Sequence, residues 1–141
     1  TGLFSKSLYN KIKKMRPDDW DEDFAKKVYK ELERNGAYIT NLAKCTQVDA
    51  RKLPDKVFKK YRKLLIEELK LVKPKKIVTF GNQVSSIFLE RSISVSRHRR
   101  QIFEVEIGDK TTPTLPVYYP VGQGLRNIDK VVRDVKWYLI L

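Results

Sequence analysis

The stretch Lys75-Lys76-Ile77-Val78-Thr79-Phe80-Gly81 decides the fold class. Two lysines lead into four β-branched or aromatic residues, which predicts a buried parallel strand. A glycine ends it, where a backbone or ligand can approach closely. Upstream, Val57, Phe58, Tyr61, Leu64, Leu65, Leu69 and Val72 recur at a helical period, with Glu68 at the stripe's edge. Lys73-Pro74 stops that helix. Downstream, a helix from about Asn82 to Glu90 turns Val84, Ile87, Phe88 and Leu89 inward. Helix, strand and helix in this order predict an α/β fold.

Further out, Phe4, Leu8, Ile12 and Met15 share a helical spacing, and Pro17-Asp18-Asp19 makes a turn and the next helix start. That second helix carries Phe24, Val28, Tyr29 and Leu32 on one face, and Asn35-Gly36 ends it. Ala37 to Leu42 reads as a short strand, followed by a basic loop from Lys44 to Lys52 and by Pro54-Asp55, which opens the long helix. On the other side, Gln101 to Ile107 alternates as a strand, Gly108-Asp109 turns, and Pro113 to Tyr119 is a further strand. Asn127 begins a closing helix with Val131, Val132, Val135 and Leu139 inward. The order predicts a three-layer α/β/α sandwich with a mostly parallel central sheet, in one domain over residues 1–141. Ligands of such sheets bind beyond the carboxyl ends of the strands. Here those ends carry Asn41, Gly81 and the segment after Tyr119.

Composition sets the partner class. Hydrophobic residues make up 41% of the 141, enough for a real core. No stretch approaches the roughly 20 apolar residues of a membrane span, and Thr1-Gly2-Leu3-Phe4 is no signal peptide. Cys45 is the only cysteine, which excludes an intrachain disulfide or a CxxC zinc site and fits a reducing, cytoplasmic setting. Thirty Lys and Arg against seventeen Asp and Glu leave a net charge of +13. Such an excess favours a polyanion, of which nucleic acid is the commonest, or else simply solubilises the surface.

Several residues are candidates for chemistry. The Asn41 amide offers a donor and an acceptor, which can read two atoms of a base edge or can make a strand-end turn. Tyr118-Tyr119-Pro120-Val121-Gly122-Gln123-Gly124-Leu125-Arg126-Asn127 leaves a strand through a proline and presents an apolar tip beside an arginine. Such a loop suits a wedge into a base stack, with the arginine on phosphate, and equally suits a plain flexible connection. Arg97, Arg99 and Arg100, around His98, are phosphate-contact candidates or a solvated charged loop. Lys56, Lys59, Lys60 and Lys63 line the outer side of the long helix as an ordinary wet face. There is no GxGxxG fingerprint or Walker loop.

Three stretches in order resemble the uracil-DNA glycosylase superfamily, and its thermophile-type branch with an iron–sulfur cluster most closely. They are Tyr38-Ile39-Thr40-Asn41-Leu42-Ala43-Lys44-Cys45, then Pro74 to Gly81, then Pro116-Val117-Tyr118-Tyr119-Pro120 through Leu125-Arg126-Asn127. The resemblance implies a DNA-repair enzyme that binds duplex DNA and hydrolyses the N-glycosidic bond of a flipped uracil or other deaminated base. It implies Asn41 as the amide that reads the base, and Leu125 and Arg126 as part of the loop entering the duplex.

The chain departs from that pattern in three places. Tyr119 stands where the family has a histidine before the proline of its last motif, so the catalytic position carries a phenol. Tyr61 stands where the cluster-bearing branch has its second cysteine, so no cofactor is expected. The family's first motif, a Gly- and Pro-rich loop after an opening strand, has no counterpart, which is the pattern of a fragment lacking its N-terminal strand. A non-catalytic nucleic-acid-binding module on the same fold is the alternative, and an enzyme of small anionic substrates is a third.

Overall fold

The structure, a computed structural model, describes residues 3–45 and 53–141. It divides into two compact units, Thr1–Thr40 and Asn41–Leu141. In the first, helix α1 (Lys6–Lys14) and helix α2 (Glu22–Arg34) flank a 3₁₀ turn at Pro17–Asp19. Both helices start on a side-chain cap: Ser5 Oγ accepts from the Leu8 N–H at 3.3 Å, and Asp21 Oδ1 from the Phe24 N–H at 2.7 Å. Leu8, Phe24, Val28 and Leu32 form the unit's buried core, with Phe4, Ile12 and Met15 packed against it. Tyr29, expected inward, is exposed. It lies one position past Val28, about 100° further round a helix of 3.6 residues per turn.

The strand expected over Ala37 to Leu42 does not form; those residues are irregular. Strand propensity expresses how side chains pack on a pleated, half-buried surface. Tyr38 and Ile39 are 56% and 60% exposed and only Leu42 is buried, so no packed face supports a ladder. The basic loop expected from Lys44 to Lys52 lies, beyond Cys45, outside the described residues.

The second unit contains α3 (Asp55–Val72), β1 (Ile77–Phe80), α4 (Asn82–Phe88), β2 (Phe103–Ile107), β3 (Lys110–Val117) and α5 (Ile128–Ile140). Its sheet has the order β1-β3-β2. β1 pairs with β3 in parallel, and β2 pairs with β3 antiparallel. The sheet is therefore mixed rather than mostly parallel. Ile107 pairs with Lys110 across Gly108-Asp109, and a two-residue turn can join only antiparallel strands.

Central strand β3 carries two prolines, which a strand paired on both sides does not tolerate. The registers resolve this. β2 covers Lys110 to Thr114 and β1 covers Thr114 to Val117, so β3 has two neighbours only at Thr114. Pro113 and Pro116 each fall where one side is open. The Pro113 carbonyl accepts a 2.6 Å hydrogen bond from the Tyr138 hydroxyl.

Helices cover both faces of the sheet. Leu115 and Val117 pack with Val131 and Tyr138 of α5, and Val78 joins them. On the opposite face Val105, Ile107 and Ile77 meet Leu65 and Leu69 of α3 and Ile87 and Phe88 of α4. In α5 the inward line runs through Val131, Asp134 and Tyr138, whereas Val132 and Leu139, expected inward, are exposed. Leu64 and Val72 of α3 are exposed too. Among the described residues no helix is long and apolar enough to cross a membrane.

Candidate functional site

The carboxyl ends of the parallel pair meet at Gly81. Its N–H donates to the Val117 carbonyl at 2.8 Å, and its φ of 86° is open to glycine without strain. A Cβ at Gly81 would lie 3.2 Å from the Cβ of Tyr119, so this turn seats directly against that residue. On the other side, a Cβ at Gly124 would stand 1.6 Å from the Tyr119 carbonyl oxygen. Two glycines thus close around one tyrosine. Tyr118 turns the other way, half-buried against the α5 cluster, with Lys130 Nζ 5.7 Å from its ring centre. Tyr119 is left 58% exposed at the strand ends.

Gly122–Asn127 forms a 3₁₀ turn that runs straight into α5. Leu125 is 57% exposed, and Val121 and Arg126 are exposed with it. The expected apolar tip therefore stands clear of the core beside an arginine, in the same loop that seats Tyr119. The part Gly124 plays was not legible beforehand. Its glycine appears in the sequence, but the carbonyl that excludes a side chain is a tertiary contact.

The basic run behaves differently. Arg99 grips Asp134 in a bidentate pair, Nε to Oδ2 at 2.9 Å and Nη2 to Oδ1 at 3.0 Å. Arg100 Nε adds a third bond to Oδ1 at 3.0 Å, and its guanidinium lies 5.6 Å over the Trp137 ring. Asp134 is only 2% exposed. Burial pushes its carboxyl pKa up, but the hydrogen bonds of Arg99 and then Arg100 outweigh that and hold it below the ordinary value. Both arginines are thus counter-ions of a buried carboxylate, while Arg97 is exposed. His98 Nδ1 sits 2.8 Å from the Ser94 carbonyl oxygen and 3.1 Å from its nitrogen, closing a local turn. Asp134 stands outside the residues expected to carry chemistry. An acid at helical spacing between Val131 and Tyr138, on an inward face, is the signal that marks it.

Asn41 is exposed on the irregular segment before α3, next to the buried Leu42. No hydrogen bond among the described residues joins it to Tyr119 or to the Gly122–Asn127 turn. Direct contacts tie together Gly81, Tyr119 and the loop of Leu125 and Arg126 at the strand ends.

The family model described as the Uracil DNA glycosylase superfamily matches residues 2–135. The chain belongs to that superfamily. A relative, the Type-4 uracil-DNA glycosylase of Archaeoglobus fulgidus, is 27% identical over 95 residues, which are 64% of this chain and 48% of the relative. The chain thus spans about half the length of the curated relative it matches. No solved structure matches it significantly.

Within the superfamily, the iron–sulfur cluster of the thermophile-type branch does not fit the residues of this chain. Cys45 is its one thiol. The position on α3 that faces it is Tyr61, whose hydroxyl is hydrogen-bonded with Cys45, a contact that raises the phenol's pKa. Among the described residues no group of three His, Cys, Asp or Glu side chains converges.

Proposed function

We propose that this member of the uracil DNA glycosylase superfamily binds duplex DNA and hydrolyses the N-glycosidic bond of a flipped uracil or other deaminated base. The observation that carries the reading is the seating of Tyr119 between Gly81 and Gly124, with Leu125 and Arg126 exposed on the next turn. A base inside a duplex is out of reach, so it must leave the stack before its glycosidic carbon can react. Leu125 fills the gap it leaves, and Arg126 and Arg97 hold phosphate. Asn41 pairs with the edge of the extruded base. As the bond breaks, its electron pair passes to the uracil ring, the oxygen of water bonds to the sugar carbon, and the proton that water loses ends on the departing base. The Tyr119 hydroxyl donates to the uracil carbonyl oxygen that gains charge, the work of any preorganised oxyanion donor. Arg99 and Arg100, tied to Asp134, brace the wall of the DNA-binding face rather than reach for phosphate alone. The cytoplasm is the proposed compartment. The full three-layer sandwich is the proposed fold, supported by α5 on one face of the sheet and α3 with α4 on the other.

Tyr119 in the place of a histidine favours a second reading, a non-catalytic nucleic-acid-binding module on the same fold. One experiment separates the two. The protein is incubated in single turnover with a labelled duplex holding one U·G pair, then treated with alkali. Strand cleavage at the uracil, lost in Asn41→Ala, sustains the glycosylase. Equal binding to duplexes with and without uracil, and no cleavage, leaves the module.

A further inference from the structure

Helix α3 carries a feature that the site at Tyr119 does not use. Lys56, Lys59, Lys60 and Lys63 recur at i, i+3, i+4 and i+7, so they stand on one face of two helical turns. All four are exposed, side by side on that face. A solubilising face normally interleaves carboxylates with its lysines, yet the three acids of α3 are engaged elsewhere. Asp55 accepts from Gln83 Nε2 at 2.6 Å, Glu67 pairs with Lys70 at 2.6 Å, and Glu68 pairs with Lys44 at 2.7 Å. Among the described residues none of the four lysines has an ion-pair partner. Four like charges at these spacings repel one another in the free protein, and a polyanion relieves that repulsion.

The stripe also starts in the right place. Gln83 donates to the Leu53 carbonyl at 3.0 Å as well as to Asp55, which holds the amino end of α3 against the amino end of α4. α4 begins immediately after Gly81, the residue seated on Tyr119. From Lys56 the stripe extends for about 10 Å at 1.5 Å per residue. Over that length a duplex presents roughly six phosphate charges, counting both strands.

We propose that Lys56, Lys59, Lys60 and Lys63 form a contact for the phosphate backbone of duplex DNA, flanking the site at Tyr119. The contact is blind to base sequence and supplies affinity rather than recognition. It rests on the DNA reading above, and its test is chosen to fail separately.

The test replaces all four lysines with glutamine and measures affinity for a U·G duplex and its C·G counterpart between 50 and 200 mM salt. A charge-matched control replaces Lys6, Lys14, Lys27 and Lys30, which are exposed on α1 and α2. For the stripe variant, the slope of log affinity against log salt becomes shallower by about 3 to 4, at 0.9 per lost phosphate contact. Affinity at 0.1 M salt drops by about 10³-fold for both duplexes alike, while the control keeps the parent slope. A slope within about 1 of the parent, or an equal loss in the control, overturns the proposal. Loss of binding to phosphatidylserine vesicles with DNA binding unchanged overturns it in favour of a lipid surface. Uracil cleavage with an unchanged slope sinks the stripe and leaves the glycosylase standing. A shallower slope with no response to uracil does the reverse.

Discussion

Gly124 and Tyr119 are packed backbone to backbone, so closely that a Cβ on the glycine would lie 1.6 Å from the tyrosine's carbonyl oxygen. No rotamer change relieves such an overlap, because one partner is main chain. The loop with Leu125 and Arg126 is thereby pinned to the residue at the end of β3, and Gly81 pins that residue from the end of β1. Gly124→Ala is therefore expected to displace Tyr119 or the loop while barely touching the core, which lies elsewhere. Single-turnover cleavage of a U·G duplex should fall by about 10²-fold, the cost of a displacement of about 1 Å in positioned groups. The thermal midpoint should move little. Unchanged cleavage in this variant would show that the loop geometry is irrelevant to the reaction.

Replacing Asp134 should cost stability more than any surface change. Asp134→Ala leaves Arg99 and Arg100 without the carboxylate, but both are partly exposed and can rehydrate. The expected loss is about 3 kcal/mol, at the low end for breaking a buried ion pair from one side. Urea unfolding of the variant beside the parent measures it.

The same carboxylate gives a pH dependence of definite sign. Its folded pKa is lowered, so its contribution is complete above the unfolded value of about 4. It drains away as pH falls through the lower, folded value. Asp134→Asn should flatten the acid limb of stability below about pH 4, leaving the parent's limb the steeper. Parallel acid limbs for the two proteins would contradict the assignment.

Tyr119→Phe removes one hydroxyl and leaves the ring. If that hydroxyl donates to the departing base, cleavage should fall by about 10²- to 10³-fold with duplex affinity nearly unchanged. Tyr119→His should retain or raise the rate, since an imidazole can make the same hydrogen bond. A Phe variant as fast as the parent would remove Tyr119 from the chemistry.

Leu125 and Arg126 should separate by assay. Leu125→Ala is expected to slow cleavage of uracil in a duplex while sparing uracil in a single strand, where no stack has to be opened. Arg126→Gln should lower affinity for any duplex and reduce the salt slope by about 1, the signature of one phosphate contact.

Much of this protein could be read from local pattern. The β1–α4 junction at Gly81, the apolar stripe of α3 and the Gly108-Asp109 turn follow from spacing and turn chemistry within a few residues, whereas the helix start expected at Pro17-Asp18-Asp19 is a 3₁₀ turn and α2 begins at Glu22. The order of three short motifs suffices to suggest the superfamily from the sequence. Net charge of +13 favours a polyanionic partner from composition alone, because charge is a sum and needs no geometry.

Tertiary structure decided the rest, wherever two distant residues compete for one neighbour. Arg99 and Asp134 are 35 positions apart, and nothing local distinguishes an arginine waiting for phosphate from one already spent on a buried acid. Ala37 to Leu42 has the composition of a strand, yet without a packed face its propensity has nothing to act on. Two prolines in β3 are tolerable only because its neighbours overlap at Thr114 alone, a matter of register between three strands. Propensity, capping and charge are properties of the chain and travel with it. Which polar group finds which partner depends on what folding brings within 3 Å, and that was settled only when the strands and helices met.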